Sequence, residues 1–133
     1  MTEAKVNYNF EESQENVSQV EVVNDLGYAV KHLELVLING YFGEVREFDG
    51  IANGAAGKIN IDDKRLIGTT QIDLADVFVL DAPVYFHVAN KVLEVTSAAG
   101  NVFVGMCTKV NNGVSVEFKP VVQRTSATGL VVT

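Results

Sequence analysis

Cys107 and the two histidines, His32 and His87, carry the most reactive side chains in this sequence. A thiolate beside an imidazole is the smallest nucleophile–base pair for acyl transfer. Cys107, however, stands inside the apolar run Val102–Val110, with no cluster of bases to lower its pKa. In that setting a cysteine is normally a small core hydrophobe. Neither histidine has a cysteine or a second histidine at metal-ligand spacing. The residues therefore predict no catalysis at Cys107 and no structural zinc site.

Gly54-Ala-Ala-Gly57-Lys58 looks like the end of a phosphate-binding loop. That motif requires a glycine where Ala52 stands and a hydroxyl where Ile59 stands, followed by a helix. Lys58-Ile-Asn-Ile-Asp62 instead alternates at the period of a half-buried strand. No helix N-terminus is expected to face a phosphate there. The acidic pairs Asp62-Asp63 and Asp73/Asp76 lack the spacing of a calcium loop and read as solvated turn residues. No catalytic residue, cofactor or metal is expected.

The elements that would hold these residues are β in character. Valine dominates the apolar set, with 7 Phe, 4 Tyr and no Trp, and β-branched and aromatic side chains suit a pleated surface. Candidate strands are Tyr28–Val30, Leu33–Ile38, Tyr41–Phe48, Lys58–Asp62, Pro83–Val88, Val92–Thr96, Val102–Val110 and Val114–Phe118. Asn39-Gly40 supplies a tight hairpin turn; Asp49-Gly50 and Asn111–Gly113 supply others. Leu66-Ile67 and Ile72 with Leu74 are short apolar pieces around Gly68, and Asp73–Val79 has room for one short helical turn. The expected fold class is mainly β: a small barrel or sandwich-like domain over residues 25–120, with at most one short helix. Residues 1–24 read as a polar arm with a thin helical option at Glu11–Val20, anchored by Phe10, Val17 and Val20. Residues 121–133 read as a tail or an added strand. In the arm Val6, Tyr8 and Phe10 alternate as candidate contacts for a partner.

The totals narrow the function classes. With 133 residues the chain suffices for one domain, and 47% apolar content suits a packed core. A net charge of −7, from 17 acidic and 10 basic residues, argues against nucleic acid as partner. One cysteine excludes an intrachain disulfide, which fits synthesis in a reducing cytoplasm. The N-terminus has no apolar run of signal-peptide type, and no stretch approaches membrane-spanning length. A binding role towards other protein is the expectation.

Several pieces between Gly50 and Phe118 resemble one family in order and spacing. They are Gly54-Ala-Ala-Gly57-Lys58, Arg65-Leu-Ile-Gly68, Ala82-Pro-Val-Tyr-Phe86, Lys91-Val-Leu-Glu-Val-Thr96, Gly100-Asn-Val-Phe-Val-Gly105 and Val114-Ser-Val-Glu-Phe118. The family is that of capsid cement, or head decoration, proteins of tailed bacteriophages, long described as a domain of unknown function and sometimes mislabelled as phage recombinase. The sequence departs from it at Asp81-Ala82, where a glycine is common, in the longer polar segment 1–24, and in the tail after Pro120. The resemblance implies a bacteriophage structural protein on the capsid exterior. It would be a homotrimer, bound to the major capsid protein, that stabilises the shell, and it would be made in the host cytoplasm. The alternative is another virion part, such as a tail, head-fibre or spike component.

Overall fold

Runs of β-branched and aromatic residues become strands; turns at Asn39-Gly40, Gly50 and Gly113 use the positive φ that asparagine and glycine admit, and Leu33, Asp81 and Lys91 adopt it as well. A computed structural model describes residues 19–62, 64–111 and 113–121. These residues form nine strands: β1 (Gln19–Val23), β2 (Leu35–Ile38), β3 (Tyr41–Val45), β4 (Ala56–Asn60), β5 (Ile67–Thr69), β6 (Pro83–His87), β7 (Val92–Glu94), β8 (Asn101–Asn111) and β9 (Ser115–Pro120). No helix occurs among the described residues. Two sheets result, in the orders β1-β4-β3-β2 and β5-β9-β8-β6-β7, with antiparallel pairing throughout. Neither closes into a barrel, so the fold is sandwich-like.

The main core lies between the sheets. Leu35 and Phe42 of the first sheet meet Val84, Phe86, Leu93, Val102, Val104, Cys107, Val116 and Phe118 of the second. The Phe42 ring sits 5.2 Å from Phe86 and 6.4 Å from Phe118, tilted against both. A second cluster covers the opposite face of the first sheet: Val22, Val36, Ile38, Val45 and Ile59 pack with Val30 and Ile51 from the flanking loops. Within the first sheet β2 and β3 are thus buried on both faces, while β1 and β4 keep one face exposed. That explains why β2 reads Leu-Val-Leu-Ile without alternation, whereas in β6 and β9 buried residues alternate with half-buried or exposed ones.

Two polar side chains tie loops to this frame. Asn24 is fully buried. Its Nδ2 donates to the carbonyls of Tyr28 (2.8 Å) and Ile51 (2.9 Å), while its Oδ1 accepts from Leu26 N–H (3.0 Å). Gln71 does the equivalent work between the sheets. Its Oε1 accepts from Leu35 N–H (2.9 Å), and its Nε2 donates to the carbonyls of Leu35 (2.9 Å) and Lys91 (2.8 Å). The amide serves both backbone groups of Leu35 on the outer edge of β2, as a neighbouring strand would. Gln71 also carries the carbonyl that receives Leu93 N–H at 2.9 Å. One residue therefore couples β2 to β7.

The structure differs from the sequence expectations at several points. Gln19–Val23, read as the end of an arm, is an edge strand paired along β4; Val20 and Val22 are drawn in by the cluster under the first sheet. The helix option at Glu11–Val20 therefore fails at Gln19 and Val20, and the rest of it lies outside the described residues. Tyr28–Val30 is reduced to a single bridge between Val30 and Ile51. β4 begins at Ala56, so Ala56, Gly57 and Lys58 of the loop-like segment Gly54–Lys58 are strand. Gly68 and Thr69 belong to β5 and do not separate two pieces. Asp73–Val79 makes a turn, with Asp76 N–H bonded to Asp73 C=O at 3.0 Å, and no helix. The expected strand Val102–Val110 extends to Asn101–Asn111 and runs unbroken through Gly105, with an irregular register nearby opposite Val84 and Tyr85.

Candidate functional site

The residues singled out for chemistry are held apart. His87 pairs with Asn101 at the start of β8, and Cys107 lies six residues further along that strand. At about 3.3 Å per residue the two are separated by roughly 20 Å. Cys107 is buried, its Sγ lies 3.6 Å from the Lys109 carbonyl, and burial pushes the thiol pKa up. This is the reverse of an activated nucleophile. His87 uses Nδ1 to accept Asn90 N–H at 2.9 Å, closing the β6–β7 turn.

The loop that resembles a phosphate cradle has its donors engaged. Gly54 N–H bonds to Asn24 C=O (2.6 Å), Ala55 N–H to Ala52 C=O (3.0 Å) and Lys58 N–H to Glu47 Oε2 (2.9 Å). Gly57 and Lys58 lie within β4. The aspartates build turns: Asp62 Oδ1 accepts Lys64 N–H (2.8 Å), Asp73 Oδ1 accepts Ala75 N–H (3.0 Å) and Asp76 Oδ2 accepts Val95 N–H (2.9 Å). Among the described residues no group of three or more His, Cys, Asp or Glu stands close enough to hold a metal ion.

Two surface features remain. The first is an open groove of about 890 Å³ where the sheets meet, lined by Tyr28, His32, Leu33, Gln71, Lys91 and Ser115 among others. Several of its side chains are already engaged. Lys91 Nζ lies 5.0 Å from the Tyr28 ring and donates to Ala89 C=O at 3.1 Å, and the His32 ring lies 5.5 Å from that of Phe48, tilted against it. Burial, helped by the Glu34 carboxylate, raises the Tyr28 pKa, so the phenol stays protonated at neutral pH.

The second feature is the connection from β5 to β6. Leu74, Val77, Val79 and Leu80 are 72%, 78%, 57% and 57% exposed. Exposure here does not come from slack. Asp73 N–H bonds to Leu93 C=O (2.9 Å), Asp76 Oδ2 holds Val95 N–H, Phe78 is buried in the main core, and Asp81 N–H bonds to Cys107 C=O (2.8 Å). The chain is pinned at four places and still turns four large apolar side chains to solvent. Large exposed apolar patches mark interaction surfaces more often than isolated exposed leucines do.

Val6, Tyr8 and Phe10, the contacts expected from the sequence, lie outside the described residues. The pinned loop was missed because Asp-Leu-Ala-Asp-Val-Phe-Val-Leu-Asp has no clean period. The usable signal was a block of apolar residues bracketed by aspartates, in a stretch with no strand or helix pattern. No helix among the described residues is long and apolar enough to cross a membrane. Comparisons with protein-family models, with curated proteins and with solved structures found no match to this chain.

Proposed function

We propose that this protein works by binding other polypeptides, as a decoration protein on the outer surface of a tailed-bacteriophage head. The observation that carries the binding reading is the pinned loop of residues 73–82, which holds apolar side chains in water at fixed positions. A rigid patch loses little conformational entropy on docking, and its apolar area supplies the driving force. The resemblance in the segments between Gly50 and Phe118 supports the capsid as the place of binding. In this reading three copies act together, so that several modest contacts with the major capsid protein add up through avidity.

Co-sedimentation with expanded heads lacking their decoration protein tests the proposal. Saturable binding, with stoichiometry set by the shell lattice, is expected. Absence of binding to expanded heads at micromolar protein would overturn it.

A further inference from the structure

The β5–β6 loop combines apolar exposure with one sign of charge. Asp73, Asp76 and Asp81 bracket and punctuate it, and residues 70–90 contain no Lys or Arg. Among the described residues none of the three carboxylates has a cationic partner within 4.0 Å. Asp73 and Asp76 each commit one oxygen to a loop N–H, which fixes the carboxylate and leaves its second oxygen available. Asp81 is exposed. The result is a segment that presents exposed apolar side chains interspersed with carboxylates, held in one shape by hydrogen bonds to Leu93, Val95 and Cys107.

From this geometry we infer that the loop docks on a different polypeptide, whose contact surface is an apolar patch rimmed by Lys or Arg. This rests on the protein-binding reading above and names the partner that this surface fits. A second copy of the chain fits poorly. Across a two-fold axis it would bring three aspartates against three aspartates, and in the three-fold contact of a trimer the loop would meet a different face of a chain that carries −7 overall, so like charge disfavours either contact. A basic rim gives each carboxylate a partner, steers the encounter and leaves the apolar centre to provide affinity. Any homotrimer would then form through other surfaces.

Two double variants separate the contributions. Leu74→Ser with Val77→Ser removes the apolar centre, and both side chains are exposed, so the core is untouched. Asp73→Asn with Asp81→Asn removes carboxylate charge while keeping the Ala75 hydrogen bond and a residue type that tolerates the positive φ of 65° at Asp81. The probe is the expanded, decoration-free head, and binding is measured at low and high salt. The apolar pair should weaken binding on the order of 100-fold. The aspartate pair should weaken it about 10-fold at low salt and flatten its salt dependence. If the wild type binds and both variants bind equally well, the assignment is overturned while the proposed function stands. If the wild type does not bind, both fall. A homo-oligomer that dissociates on either substitution, seen by sedimentation velocity, would also overturn the assignment, because the loop would then face its own copy.

Discussion

Gln71→Leu is the perturbation that reads out most about how the two sheets are joined. Leucine is close to glutamine in size and carries no hydrogen-bonding group, so the site stays filled while three hydrogen bonds disappear. Leu35 is only 1% exposed. Its N–H and C=O would be left with little access to water, at about 1–3 kcal/mol for each stranded group. The Lys91 carbonyl is at a half-buried position and reaches solvent more easily, so it adds less. The sum comes to about 3 kcal/mol, which for a domain of this size lowers Tm by about 10 °C. Thermal unfolding followed by circular dichroism measures the shift, and amide exchange at Leu35 locates it. The Leu35 amide should lose protection while Val84 and Val102, deep in the second sheet, keep theirs. A Tm within about 2 °C of wild type, with Leu35 still protected, would refute the idea that one side chain stands in for a strand neighbour.

Three further expectations follow from buried groups. Asn24→Ala should cost about 2–4 kcal/mol in urea unfolding, because the carbonyls of Tyr28 and Ile51 and the N–H of Leu26 lose their shared partner; a loss under about 0.5 kcal/mol would contradict it. Gly105→Ala should destabilise by about 3 kcal/mol, since a Cβ there would sit 2.3 Å from the Lys119 carbonyl oxygen and force β8 away from β9; an unchanged urea midpoint would count against it. Burial raises the pKa of both Cys107 and Tyr28, so the unfolded chain releases these protons first as pH rises. Their contribution is complete below the ordinary thiol range and is lost with increasing pH above it. Melting temperature should therefore fall above about pH 9, less steeply in Cys107→Ala, and identical slopes would contradict the assignment to the thiol.

What the sequence discloses and what it hides have separate physical causes. Turn chemistry is local, so Asn39-Gly40 was legible: φ values of 55° and 83° close the two-residue hairpin between Ile38 and Tyr41. The alternation of Val114-Ser-Val-Glu-Phe118, which marks β9, is local in the same way. β1 was hidden because its partner, β4, is distant in sequence and because Glu21 and Gln19 give the segment a polar look. Gln71 was hidden altogether, since nothing local distinguishes a glutamine that bridges two sheets from one in water. The apolar loop could not be read as a surface because periodicity identifies faces only in regular elements. Phe78 points into the core while its neighbours Val77 and Val79 point out, an arrangement set by tertiary anchors and not by local pattern.

The central claim is that a rigid surface of this protein meets another polypeptide through residues 74–80. Hydrogen–deuterium exchange of the protein free and bound to decoration-free heads tests it directly. Slowed exchange over Leu74–Leu80 on binding is the predicted footprint. Binding accompanied by protection elsewhere, with that segment exchanging at its free rate, would contradict the account.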